Sequence, residues 1–232
     1  MFQTDPFSLI ILLVGLSLLP FVAMIATSYL KIVVVISLIR NALGIQSIPP
    51  NMVVNALAMI LSFYIMAPVA EESWKIAKEE YYKNTAQTPA VAAALKVPTA
   101  ESRLDSDAAA KAAEPFRRFL SERTSPRERA FFTATAETLW GKDGEPAKVN
   151  PESFYILLPS FCVSELTKAF QIGFLVYLPF IAIDIIVSNI LLAMGMMMVS
   201  PVTISLPFKL LLFVMVNGWT LLIQGLVRGY ML

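Results

Sequence analysis

Apolar residues fall in long charge-free runs rather than alternating strand-like patches, and each run is long enough to be a helix. Residues 7–30 form an uncharged stretch of 24, enough to cross a hydrocarbon layer of about 30 Å at about 1.5 Å per residue. It contains Pro20, and apolar character continues past Lys31 to Ile39, so a kink or a second short helix is expected. A second run, 52–70, is entered through Ile48-Pro49-Pro50-Asn51, which reads as a turn and then a helix start. A third, 169–183, is stopped by Asp184; Pro159-Ser160 upstream of it is a candidate start for the helix carrying Glu165. Residues 185–208 are uncharged but contain Gly195, Pro201 and Pro207. The last run, 210–227, lies between Lys209 and Arg228 and includes Asn217, Gly218, Gln224 and Gly225. Such interruptions are tolerated at membrane depth where protein covers the backbone or a water-filled cavity adjoins it. These segments therefore predict helices that pack on other helices.

Charge divides the chain. Residues 71–153 hold 27 of its 35 charged side chains. The expected organisation is an N-terminal apolar helical hairpin (1–70), a polar extracytoplasmic helical insertion (71–153), and C-terminal apolar hairpins with a methionine-rich loop (154–232). The fold class is all-α. Within the insertion, 71–84 mixes Trp74, Ile76, Tyr81 and Tyr82 with charges and extends the second helix. Residues 85–113 read as a loose connector with short helical pieces. Ser125-Pro126-Arg127-Glu128 fits a capping box with proline at the first helical position, and Gly141 is placed to end the helix after Trp140. Asp5 before the first run, and Lys31 and Arg40 after it, place the N-terminus outside and the 40–51 loop in the cytoplasm. Four crossings would then leave the insertion and the C-terminus outside. The first 30 residues lack Lys and Arg, so the first run reads as a retained helix rather than a cleaved signal.

Composition narrows the chemistry. Hydrophobic residues are 57% and charged residues 15%, against roughly 25% charged in a soluble domain. The net charge of +1 gives no reason to expect nucleic acid. With no histidine and one cysteine, imidazole bases, His-based triads, internal disulfides and His or Cys metal sites are excluded. Cys162 reads as a small buried apolar group. Neither G-x-S-x-G nor H-E-x-x-H occurs. No enzyme activity, cofactor or metal is expected.

Two features remain. Met194, Met196, Met197 and Met198 crowd into five positions beside Gly195 and Pro201, at a break between apolar segments. Methionine is flexible and polarizable, so the cluster is either gap-filling core or a deformable seal. Glu165, Lys168, Asp184 and Lys209 are charges inside the C-terminal apolar half, and ionisable groups at membrane depth are costly unless paired or hydrated. Glu165 and Lys168 are spaced to pair on one helix. Glu165 or Asp184 could instead meet Lys209 across helices or subunits, or relay protons. Asn55, Gln171, Asn189, Asn217 and Gln224 offer interhelical hydrogen bonds. Residues alone leave a protein conduit and a small-solute or ion transporter both open.

Three motifs carry a resemblance. The first is Arg40-Asn41-Ala42-Leu43-Gly44 with Ile48-Pro49-Pro50-Asn51. The second is Ser164-Glu165-Leu166, Ala169-Phe170-Gln171-Ile172-Gly173-Phe174 and Leu178-Pro179-Phe180-Ile181 with Asp184. The third is Ala193-Met194-Gly195-Met196-Met197-Met198 with Thr203-Ile204-Ser205-Leu206-Pro207-Phe208-Lys209. In this order they resemble the FliP/SctR family, export-gate subunits of flagella and type III secretion injectisomes, over 7–70 and 154–230. Ser200-Pro201 and Val187-Ser188-Asn189-Ile190 look more like the injectisome branch. The resemblance implies a core pore-forming subunit in the Gram-negative inner membrane, in about five copies, with small hydrophobic subunits of the FliQ/SctS and FliR/SctT types. Together they would pass unfolded protein substrates. It implies that Met196, Met197 and Met198 form a gasket and that Glu165 and Lys209 form an inter-subunit salt bridge. From the residues themselves, Lys168, Asp184, Asn189 and Asn217 are a candidate intramembrane polar network. The resemblance also implies a helical stack raised largely out of the bilayer, with fewer true crossings than the hydropathy suggests.

Overall fold

The computed structural model describes residues 6–45, 48–86, 106–141, 147–196 and 198–231. Regular structure among them is entirely α-helical. The helices are α1 Pro6–Ile25, α2 Tyr29–Ala42, α3 Asn51–Ala86, α4 Ser106–Ala112, α5 Glu114–Arg123, α6 Pro126–Leu139, α7 Phe154–Ala193, α8 Pro201–Met215 and α9 Gly218–Arg228. Two compact units result: Met1–Ile65 with Glu165–Leu232, and Met66–Ser164. Their boundaries fall inside α3 and α7. By length and hydropathy α3 and α7 are each able to cross a membrane, and up to four spans result if each bent helix pair counts as one.

In the first unit α2 is the centre. Ile32, Val35, Ile36, Ile39, Ala42 and Leu43 are buried, a three-to-four spacing that puts them on one broad face. Ile32-Val33-Val34-Val35-Ile36 is a β-branched run with modest helix propensity. Helix wins because it satisfies every backbone group within the segment, which an apolar environment requires. Around α2 lie Val54 and Ala58 of α3, Ala169 and Phe180 of α7, Phe213 of α8 and Leu226 of α9. A Cβ on Gly173 would stand 2.3 Å from Leu38 Cδ1, so α7 approaches α2 as closely as glycine permits.

The first apolar run does divide into two helices, but Pro20 does not set the break. α1 continues through Pro20, and the chain bends by 57° between α1 and α2. Hydroxyl groups hold the bend. Thr27 donates to the Ala23 carbonyl at 2.6 Å, Ser62 of α3 donates to Thr27 at 3.0 Å, and Ser28 donates to Ser62 at 3.1 Å. The bend between α8 and α9 is 60°. There Asn217 takes the left-handed conformation at φ 51°, one of the few residue types that does so readily. A Cβ on the following Gly218 would collide with the Phe213 ring at 2.3 Å.

Two sequence expectations are corrected. Pro159-Ser160 does not start the helix that carries Glu165; α7 begins at Phe154. The start is set upstream, where Asn150 Oδ1 accepts the Glu152 N–H at 2.9 Å and the Ser153 carbonyl accepts the Leu157 N–H at 2.9 Å. The capping box at Ser125 is also absent, although the helix it announced is present as α6 and ends before Gly141. The Ser125 N–H that Glu128 was to satisfy donates instead to Ser164 Oγ at 2.9 Å, so a tertiary partner replaces the local one. In this second unit Glu72 of α3 meets Arg118 of α5 at 2.6 Å, and Glu80 meets Lys111 of α4 at 3.3 Å. Phe119, Leu120, Ile156, Leu157 and Phe161 are among its buried apolar residues. Of the connector expected at 85–113, residues 87–105 lie outside the described residues, while 106–112 form the short helix α4.

Gly173→Leu should lower stability by about 1–3 kcal/mol through overpacking against Leu38. Gly225→Ala, where an added Cβ meets nothing within 4 Å, should be neutral or gain up to about 1 kcal/mol. Unfolding midpoints in detergent micelles measure both, and equal midpoints for Gly173→Leu and wild type would rule out the close α2–α7 approach.

Candidate functional site: a methionine loop and two buried ion clusters

The methionine loop is defined by how α7 ends. The Met196 N–H reaches back to the Leu191 carbonyl and the Gly195 N–H to the Leu192 carbonyl, both at 3.0 Å. With Gly195 at φ 74°, this is a Schellman stop. Nothing lies within 4 Å of a Cβ placed on Gly195, so glycine is required there by backbone conformation and not by space. Extended backbone at Ser200 and proline at the first position of α8 restart the helix. Between these ends the side chains are uncovered: Met194, Met196 and Met198 are exposed, Met198 completely at 101%. Met197 lies outside the described residues. Within one chain Met196 and Met198 therefore fill no core.

The α7–α8 hairpin that presents the loop is tied by charge. Lys209 Nζ sits 2.7 Å from Asp184 Oδ2 and donates to the Ala42 carbonyl at 3.2 Å. Ser205 donates to Asp184 Oδ1 at 2.6 Å. Ala42 ends α2, so its carbonyl lacks an intrahelical partner and carries the negative end of the helix dipole. One buried ammonium thus satisfies a carboxylate and a helix terminus together. The carboxylate also explains why Asp184 does not interrupt α7: its charge is matched on the neighbouring helix.

Glu165 anchors the second cluster and is fully buried. Its carboxylate faces Lys31 of α2 at 3.0 Å and Lys168 of its own helix at 3.2 Å, and it accepts the Tyr230 hydroxyl. Lys31 Nζ also stands 3.5 Å from the centroid of the Tyr230 ring, a desolvated cation–π contact. The cluster joins α2, α7 and the turn after α9.

Of the pairings left open by spacing, the chain makes Glu165–Lys168 and Asp184–Lys209. Glu165 and Lys209 do not meet within it; each is held by other partners. The four residues expected to form a polar network are dispersed: Lys168 joins the Glu165 cluster, Asp184 joins the Lys209 cluster, and Asn189 and Asn217 are exposed. Three participants were not identified as site residues from sequence, namely Lys31, Ser205 and Tyr230. Lys31 carried a signal, being the one charge between Asp5 and Arg40. Ser205 and Tyr230 carried none, because their role depends on which helices meet. In both clusters the carboxylate is engaged by lysine and by a hydroxyl.

Comparison with known proteins gives a consistent picture. The FliP family matches residues 12–226. The chain is 50% identical over 228 residues to Yop proteins translocation protein R of Yersinia pestis, covering 97% of each. It is 45% identical over 223 residues to the hypersensitivity response secretion protein HrcR of Ralstonia nicotianae, covering 96% of each. It is 45% identical over 229 residues to virulence protein YscR of Salmonella typhimurium, covering 97% of each.

Lys209→Met should destabilise the chain by about 3 kcal/mol, because it strands the Asp184 carboxylate. Adding Asp184→Asn should recover more than half of that loss. Denaturant titration in micelles reads both together with Asp184→Asn alone, and a double-variant loss equal to the sum of the two single losses would mean the pair acts independently. Tyr230→Phe removes one hydrogen bond to a charged group and should cost about 1.5–3 kcal/mol in the same assay.

Proposed function

Because the chain belongs to the FliP family and matches injectisome-type members along nearly its whole length, we propose that it is a pore-forming subunit of a type III secretion export apparatus in the inner membrane. The observation that carries this reading is the uncovered methionine loop on a tied hairpin. Exposed methionines cost free energy in water, and an assembly that converges several copies would cover them against each other. Thioether side chains then close around an irregular passing polypeptide and close again behind it. A ring of them is an apolar constriction, which excludes water and ions by dewetting. About five copies, with subunits of the FliQ/SctS and FliR/SctT types, would form the portal for unfolded substrates, with the insertion on the periplasmic side.

The two ion clusters suit this role by fixing the direction of the hairpin. An inter-subunit Glu165–Lys209 bridge would require Lys209 to leave Asp184 and a neighbouring Glu165 to leave its lysines, so it belongs to assembly rather than to the free chain. A solute transporter relaying protons through Glu165 and Asp184 is the rival reading. Both carboxylates are already held by lysine, which favours the conduit.

Replacing Met196, Met197 and Met198 with alanine should preserve assembly and let ions or small solutes leak across the inner membrane. Normal assembly with unchanged conductance would end the gasket reading; lost assembly would make the methionines packing residues. Native mass spectrometry after co-expression with neighbouring genes should show about five copies with smaller hydrophobic partners, and a partnerless monomer would favour the transporter. Glu165→Lys should weaken the oligomer and Lys209→Glu should partly restore it in the double variant; absence of any restoration would remove the inter-subunit bridge.

A further inference from the structure

Helix α3 does not lose its membrane character where its charges begin. Its uncharged run, 52–70, measures about 28 Å at about 1.5 Å per residue, close to the hydrocarbon thickness of about 30 Å. Trp74 follows one turn later, about 6 Å further on, within the headgroup layer of about 5–8 Å that a bilayer adds on each side. Trp74 is 72% exposed, and Tyr81 and Tyr82 are exposed with it. Trp74, Lys78 and Tyr81 recur at helical spacing, with Tyr82 beside Tyr81, so they form one stripe. Lys78 Nζ stands 6.0 Å from the Tyr82 ring centroid, and Lys75 at the stripe's edge is engaged by Glu71 at 2.7 Å. Glu71 lies on the same face, between Lys78 and Tyr82 on the helix circumference, and Glu79 lies beyond the edge that Lys75 marks.

The remaining carboxylates of this segment are handled differently. Glu72 and Glu80 turn to Arg118 and Lys111, at 2.6 Å and 3.3 Å. Helices α4 and α5 thus supply counter-charge to one side of α3, while its other side offers aromatic rings and an ammonium. Rings with a polar tip, and lysines on long apolar stems, are the side chains favoured at a membrane–water boundary. We propose that the Trp74–Lys78–Tyr81–Tyr82 stripe is an anchor that seats α3 in the headgroup layer of a phospholipid bilayer, with Lys78 directed at lipid phosphate. The Glu72–Arg118 and Glu80–Lys111 pairs turn those two carboxylates away from that phosphate, and Lys75 neutralises Glu71. This anchor fixes the level of the membrane on α3, and its failure would leave the export reading untouched.

The test uses the full chain in phospholipid vesicles carrying a nitroxide either near the carbonyl end or near the methyl end of an acyl chain. The emission of Trp74 is the difference between wild type and Trp74→Phe. The shallow nitroxide should remove roughly half of that emission, the deep one much less, and aqueous iodide little, as expected for an interfacial indole. Lys78→Glu should reduce the shallow quenching. Quenching by iodide alone would place Trp74 in water and overturn the proposal. Stronger quenching by the deep nitroxide would overturn it, as would protection from all three quenchers that disappears on diluting protein in lipid, the mark of a second copy covering the stripe. Tyr81→Cys in a Cys162→Ser background, labelled with a polarity-sensitive dye, reads the same boundary with Trp74 intact and decides the matter if Trp74→Phe does not insert.

Discussion

The apolar unit depends on compensated charge. Lys31, Glu165 and Lys209 are buried almost completely, and an unpaired ion in such surroundings costs several kcal/mol. Pairing does more than cancel that cost. Apart from Glu165–Lys168 within α7, the contacts join different elements: α2 with α7, α7 with α8, and the turn after α9 with α7. Apolar helices in apolar surroundings gain little from burial against each other, so side-chain packing alone leaves their register weakly determined. Two ion clusters pin it. The Lys209 contact with the Ala42 carbonyl adds a helix end to the same bond network.

Once register is pinned, the directions of the chain are set by a few backbone positions. Gly195 and Asn217 occupy left-handed conformations that most side chains avoid. The first stops a helix of 40 residues and leaves the methionines projecting; the second turns α8 into α9. Gly44, also left-handed at φ 80°, ends α2 near Lys209, where a Cβ would lie 3.5 Å from Leu206 Cδ1. Rigid helix ends around a soft loop suit the proposed constriction, which must yield without losing its position.

Large apolar residues remain uncovered along α1, α7 and α8, among them Leu13, Phe21, Phe170, Phe174, Leu211 and Val214. In water this surface would be a liability. Lipid or further subunits can cover it, and the uniformly apolar α1 is suited to either. The bent helix pairs have the same ambiguity by composition, which is why two to four crossings fit the hydropathy.

Much was legible in the residues themselves. Long charge-free runs give helices because no other segment-local structure satisfies the backbone without water, and Asn51, Ser200-Pro201, Gly195 and Gly141 mark helix ends through local conformational preference. Motif order identified the family, and with it the methionine loop. Local preference could not place the α1–α2 bend, because a proline removes one hydrogen bond while the Thr27–Ser62–Ser28 chain depends on α3 being alongside. Nor could it give Ser125 its partner, since an N–H donates to whichever acceptor oxygen the fold brings nearest. The charge pairs show the same division. Sequence established that Glu165, Asp184 and Lys209 had to be matched, because their ionisation is expensive in an apolar setting. Only the tertiary structure chose Lys31, Tyr230 and Ser205 as their neighbours, because pairing distance is decided by which helices cross.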